Sequence, residues 1–259
     1  MLPTVIAYRL PKNGYTIDEC EDAFEYSVEQ LRFAVADGAT ESSFADRWAT
    51  SLVKQYITDP PFGSPPSDDS LQLWLLPLQQ EWHQGINWAN LPWYCQEKAE
   101  RGAYAALVTL EFCDHGTLWQ KIVGKGLQGE EMMWNAFAVG DSNLFQVRDD
   151  SLVGSFPLEK SEQFNSRPIL LASNASNNDS ALKDIRSATG GCKTGDLFFL
   201  ATDALSKWFL AGCEAGEKPW QALLSLRSEE EFAAFVAKIR KEQGVRNDDT
   251  TMVMVKWGG

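Results

Sequence analysis

Histidine is almost missing from this chain of 259 residues: there are two, His83 and His115, so a histidine-rich metal site is excluded. Cysteine is scarce too. Cys20, Cys95, Cys113, Cys192 and Cys213 are odd in number, scattered and never spaced as C-x-x-C, which suits neither a disulfide framework nor a zinc site. Reduced structural thiols, and with them a cytoplasmic location, are the expectation. No apolar run approaches the ~18 residues that a membrane-crossing helix needs. The opening Met1-Leu2-Pro3-Thr4-Val5 lacks the basic-then-apolar order of a secretory signal, so no membrane association is expected. Positive charge is in deficit: 23 Lys and Arg against 36 Asp and Glu leave −13. A surface of that sign repels a phosphate backbone, and no nucleic-acid partner is expected. The G-x-S-x-G, P-loop and G-x-G-x-x-G signatures are absent, and Gly124-Lys125-Gly126 opens no apolar helix and reads as a turn.

What is present is ordinary globular material, 44% hydrophobic and 23% charged. No repeat or linker divides it, so one domain over residues 1–259 is expected. Thr4–Arg9, Ala23–Val28 and Leu31–Ala36 read as strands, the last two joined by a tight turn at Glu29-Gln30. Ser42 or Ser43 is placed to cap a helix running to Ile57. Asp59–Asp69, with four prolines and a glycine, breaks regular structure. Ser70–Glu100 follows as two helices, the first ending near Gln84, and carries Trp74, Trp82, Trp88 and Trp93. Packing of those rings onto the body is one reading; an aromatic flap or partner surface is the other.

Ala103–Phe112, Thr117–Val123, Met133–Val139 and Asn143–Arg148 read as strands, with a turn at Asp149-Asp150. Ser173–Ser180 reads as a polar, mobile loop. Leu197–Ala201 is an apolar strand, Leu205–Leu210 opens a helix, Ser228 caps another, and Met252–Trp257 closes the chain as a strand. Strands that follow one another by hairpins, with few crossover helices, predict antiparallel sheets covered by helices, an α+β fold.

Four aspartates share one position in this pattern. Asp22 precedes a strand, Asp37 ends one before Gly38, Asp203 follows Leu197–Ala201 and Thr202, and Asp248 with Asp249 precedes the last strand. Carboxylates on rigid strand ends can be aimed at one point. Brought together they repel unless cations lie between them, and hard Mg²⁺ or Mn²⁺ suits such oxygen donors.

These blocks resemble the PPM-type metal-dependent serine/threonine phosphatases, the protein phosphatase 2C family. Glu21-Asp22-Ala23, Phe33–Gly38, Val139-Gly140-Asp141-Ser142 with Leu144-Phe145, Leu200–Asp203 and Asp248–Val253 match its motifs in order, from about residue 21 to 255. The resemblance implies two antiparallel sheets packed face to face with helices outside, an α-β-β-α sandwich. It also implies a binuclear Mn²⁺ or Mg²⁺ centre: Asp37 bridging both ions, Asp203 and Asp248 holding one, Asp22 and the Gly38 carbonyl the other. A water activated there would hydrolyse phosphoserine or phosphothreonine, Asp37 and Asp203 being the catalytic carboxylates and the substrate a phosphoprotein such as a kinase or signalling protein. Some members hold a third ion; Glu100 or Glu97 is the candidate here. Asp141 is taken as structural, outside the site.

The chain departs from the family at several points. Ile17 stands where many members have a phosphate-binding Arg, and Lys12 or Arg9 is the candidate substitute. Ala39-Thr40 stands where eukaryotic members have a histidine, Ala204 where Gly is usual, and Asp249 where Asn is common. The resemblance is thus to a divergent, bacterial-type subgroup, with a Pro- and Trp-rich insertion at residues 59–100. Two other readings stay open: a catalytically weak domain that binds or regulates a signalling partner, and a hydrolase of small phosphate compounds.

Overall fold

The computed structural model describes residues 2–63, 66–113, 132–164 and 167–258. Its strands are β1 (Thr4–Leu10), β2 (Ala23–Ser27), β3 (Arg32–Gly38), β4 (Tyr104–Cys113), β5 (Met132–Val139), β6 (Asn143–Arg148), β7 (Ser151–Phe156), β8 (Leu171–Ala172), β9 (Arg186–Cys192), β10 (Leu197–Ala201) and β11 (Thr250–Lys256). They form two sheets, ordered β1-β11-β10-β6-β7 and β2-β3-β4-β5-β9, with β8 added beside β4. Each pairing among them is antiparallel. The helices are α1 (Ala45–Thr58), α2 (Asp68–Gln84), α3 (Trp93–Glu100), α4 (Asp179–Lys183), α5 (Asp203–Glu214), α6 (Pro219–Ser225) and α7 (Glu229–Gln243).

The two-residue period of a strand sorts its side chains between two cores. Phe33 and Val35 of β3, Val108 and Leu110 of β4, Phe198 and Leu200 of β10, and Val253 and Val255 of β11 meet in the interior between the sheets. Their alternates face outward. Ala34, Ala36 and Leu107 pack under α1 and α2 with Trp48, Leu52 and Leu75. Phe199, Met252 and Met254 pack under α5, α6 and α7 with Phe209, Trp220 and Phe232. The layers are therefore helix, sheet, sheet, helix, as the resemblance implied.

Local chemistry differs from expectation at a few places. Helix α1 is entered through Phe44 in the left-handed region (φ 59°) with no side-chain cap, not through Ser42 or Ser43. Ser42 is used elsewhere: its Oγ donates to the Ala39 carbonyl (2.8 Å) and accepts the Tyr104 amide (3.2 Å), tying the loop after β3 to β4. Ser173–Ser180 is not an open loop. Asn178 bonds the amide and carbonyl of Ala172, each at 2.8 Å, and the run winds through a 3₁₀ turn into α4. Strands β8 and β9 carried no clear sequence signal, since Arg186–Cys192 is rich in Gly and small polar residues. The expected strand Thr117–Val123 lies outside the described residues.

In the Trp-rich segment, Trp74 and Trp82 are buried, and their indoles donate to the carbonyls of Asp59 (2.7 Å) and Phe44 (3.4 Å). The packing reading thus holds for these two. Trp88 is half-buried, and Trp93 is 83% exposed.

The Phe198 ring is fully buried and meets Phe112 and Trp134 edge-on. Phe198→Ala is expected to cost about 3–5 kcal/mol in urea unfolding. Phe62→Ala, at a ring 91% exposed, is expected to cost within about 0.5 kcal/mol.

Candidate functional site

One end of the sandwich collects the acidic motifs. Asp37 is the next-to-last residue of β3, paired with Ala106 of β4. Gly38 follows in a place too tight for a side chain, because a Cβ there would lie 2.5 Å from the Glu21 carbonyl oxygen. That close approach is why Gly follows the Asp, and it brings the Glu21-Asp22 segment against the end of β3. Asp203 begins α5 immediately after β10, its strand-end position converted into the first turn of a helix. Asp248 lies in the loop between α7 and β11. Asp141 follows Gly140, whose φ is +98° and where a Cβ would lie 2.5 Å from that of Ala106, so the chain turns tightly against β4 as it crosses from β5 in one sheet to β6 in the other.

Asp37, Gly38, Asp141, Asp203 and Asp248 line one cleft of about 480 Å³, with Lys12, Thr40 and Arg246 on its walls. Asp22 is buried, and its Oδ2 accepts the Thr202 hydroxyl at 3.0 Å. Burial holds the Asp37 carboxyl well above the usual carboxylate range, reinforced by Asp22, Asp203, Asp141 and Asp248. Asp22 is raised likewise by burial and then by Asp249. Burial also raises Asp203, against the pull of Arg246. Asp141 is pushed up to about 7 by burial and by Asp203.

Two oxygens in this group have no hydrogen-bond partner among the described residues although they are buried: Oδ1 of Asp22 and Oδ1 of Asp203. Orphaned anionic oxygens in an all-oxygen donor set fit a hard divalent cation. Among the described residues, however, no three His, Cys, Asp or Glu side chains stand together as a ready metal cage. Arg246 takes part of that space. Its Nη2 donates to Asp203 Oδ2 at 3.0 Å and also to Asp248 Oδ2.

The other expected residues divide. Lys12 lies at the cleft, its Nζ held by Glu21 Oε2 (3.1 Å) and Thr40 Oγ1 (3.0 Å). Burial works against its charge, but Glu21, Asp249 and Asp248 raise its pKa overall. Arg9 does not reach the cleft. Its Nη1 donates to the Asp22 carbonyl at 3.2 Å, and it lines a separate cavity of about 360 Å³ with Ile17. Glu100 ends α3 at an exposed position and is not part of the cleft lining; Glu97 is paired with Arg101 at 2.6 Å. The carboxylate beside Asp203 is instead Asp141, which the sequence reading had set aside as structural. Arg246 was missed, because a lone Arg two residues before an Asp carries no motif signal. Asp249 turns away from the cleft: Oδ1 accepts the Lys12 amide (2.8 Å) and Oδ2 the Glu21 amide (2.7 Å).

No family profile matches the chain, and no curated protein matches it. Solved structures do. The Mycobacterium tuberculosis serine/threonine phosphatase PstP/Ppp is 14% identical at a TM-score of 0.62, covering 100% of both chains. A PstP catalytic domain in complex with two manganese ions is 14% identical at 0.57, covering 98% of each. PppA of Pseudomonas aeruginosa, described as a key regulatory component of T6SS, is 16% identical at 0.57, covering 99% of this chain and 98% of that one. At such identities the likeness establishes the fold alone: this chain has the PPM-type phosphatase fold. Among the described residues no helix is long and apolar enough to cross a membrane.

The raised carboxyls make stability pH-dependent. A folded-state pKa above the unfolded value means that the native state binds protons more strongly, so these groups favour folding in acid, and the advantage is lost as pH rises through the folded pKa. In metal-free buffer the melting temperature is expected to fall between about pH 5 and pH 8, and Asp141→Asn to flatten that fall. Asp249→Ala leaves two amides unpaired and is expected to cost about 1–3 kcal/mol by denaturant unfolding, with Asp249→Asn intermediate because one acceptor remains.

Proposed function

We propose that this chain is a metal-dependent hydrolase of phosphoserine and phosphothreonine esters in proteins, with the acidic cleft as its active site. The observation that carries the reading is the convergence of Asp37, Asp203, Asp248 and Asp141 on one cleft, with buried oxygens of Asp22 and Asp203 left without hydrogen-bond partners among the described residues. The PPM-type phosphatase fold supports it. Asp37, Asp203 and Asp248, backed by Asp22 and the Gly38 carbonyl, would hold Mn²⁺ or Mg²⁺, and Asp141 is a further carboxylate of the cleft lining. When bound, a pair of such ions lowers the pKa of a coordinated water and neutralises phosphate oxygens.

The protein's own part is positioning. Strand β3 and the first turn of α5 fix Asp37 and Asp203 on rigid elements, so their geometry does not depend on a loop. Lys12, held in place by Glu21 and Thr40, brings a positive charge to the wall where a phosphate dianion would lie. Ala39 and Thr40 supply no group with a pKa suited to protonating a leaving alkoxide, so that proton would come from water or from another group of the cleft. The domain organisation we propose is a single phosphatase-like unit acting in the cytoplasm on phosphoprotein partners.

One observation favours the second reading, a weakly catalytic domain that binds or regulates a signalling partner. The cations on the cleft wall, Lys12 and Arg246, are both already engaged by carboxylates. Hydrolysis of an aryl phosphate and of a phosphothreonine peptide, with and without Mn²⁺, separates the two. Turnover is expected to require Mn²⁺. Asp37→Asn and Asp203→Asn are each expected to lower it by more than the ~10–100-fold typical of outer partners of a metal site. Near-normal turnover in either variant would sink the carboxylate site. Metal binding without turnover would favour the regulatory reading.

A further inference from the structure

Arg246 stands between two carboxylates that the proposed reading assigns to one metal ion. A single nitrogen, Nη2, bonds Oδ2 of both Asp203 and Asp248. Each carboxylate therefore gives one oxygen to the guanidinium. The other oxygen of Asp248 accepts the Asp249 amide at 3.0 Å, and the other oxygen of Asp203 is the buried one with no hydrogen-bond partner among the described residues. The same pair thus has a cationic ligand that belongs to the chain.

We infer that Arg246 is a tethered counter-ion that competes with the divalent cation for Asp203 and Asp248 and so sets how readily the site is loaded. The inference rests on the metal reading given above.

Three features support it. One positive charge facing Asp37, Asp141, Asp203 and Asp248 relieves only part of their repulsion, so a divalent ion has an electrostatic advantage over the guanidinium. The Arg246 side chain is 59% exposed whereas Asp203 is 14% and Asp248 22% exposed, so the arginine is the partner able to leave while the carboxylates stay. A groove of about 590 Å³ adjoins the cleft, lined by Arg246, Lys207, Trp208 and Gln243 and sharing Asp203 with it, and gives the displaced side chain a place to lie. The movement asks nothing of the loop backbone. Gly244 ends α7 in the left-handed region, while the Val245 amide donates to the Ile239 carbonyl (3.5 Å) and the Arg246 carbonyl accepts the Asp248 amide (3.1 Å), so the loop backbone is tied down and the movement is that of the exposed Arg246 side chain alone. Any group that occupies only the metal-free state weakens metal binding by the free energy of its own contacts.

Titration calorimetry with Mn²⁺ and melting of the metal-free protein test the inference on wild type, Arg246→Gln and Lys207→Gln. Lys207 is the matched control, since it acts on Asp203 through its charge without a bond to it. Arg246→Gln is expected to bind Mn²⁺ about tenfold or more tightly than wild type, the scale of a charged hydrogen-bonded contact. It is also expected to melt lower than wild type without metal, and to regain most of that loss at saturating Mn²⁺. Lys207→Gln is expected to change the affinity by less than about threefold, as an exposed unbonded charge should. Equal tightening by both variants would mean a general charge effect and would overturn the counter-ion role. So would unchanged affinity in Arg246→Gln, while leaving the metal site standing. No binding heat in any of the three proteins would overturn the metal reading, and this inference with it.

Discussion

Everything at the working end of this molecule is constrained by like charge held out of water. Asp22, Asp37, Asp141 and Asp203 lie buried or half-buried within mutual influence, and burial is the first cause of the raised pKa of each. Such a cluster opposes folding unless something compensates. The compensation comes from elements remote in sequence. Thr202 donates to Asp22, Lys12 is drawn in by Glu21, and Arg246 spans Asp203 and Asp248. The stability that tolerates the cluster comes from elsewhere: three apolar layers, one between the sheets and one under each set of helices.

The rigidity of the sandwich is what makes the cluster useful. Interior-facing Phe33 and Val35 fix β3 in its register, and Phe198 and Leu200 fix β10. A slip of one residue in either strand would exchange these side chains with those packed under the helices, so the two cores together set where Asp37 and Asp203 end up. The segments that carry no strand of their own are tied in by Asp249, whose two oxygens each hold a backbone amide from the first part of the chain. An asparagine could accept only one such bond in the same place, which gives the departure from the family's usual Asn a structural purpose here.

The same cluster relates the proposed chemistry to the proposed control of loading. A site that must attract a divalent cation is, without one, a site of unsatisfied negative charge. A nearby flexible cation will move into it. Arg246 is the side chain whose exposure allows this. The exposure of one surface arginine and the rigidity of two strand ends are thus complementary parts of one electrostatic arrangement.

Much of this was legible in the sequence. Short continuous apolar runs in β3, β4, β10 and β11 mark strands buried on both faces, and hairpin spacing favours antiparallel pairing. The aspartates at strand ends were visible because a rigid strand fixes where its last residues point. Tertiary structure decided what depends on distance through space. The sequence could not say that Asp141 would fold over β4 to join Asp203, nor that Arg9 would face a separate cavity while Lys12 reached the cleft. It could not show that Glu100 would end an exposed helix, or that the polar run from Ser173 would be consumed in satisfying the backbone around β8. Arg246 is the clearest case. Nothing local distinguishes it from any other surface arginine, because its role exists only where α5 and the loop before β11 bring two carboxylates to the same nitrogen.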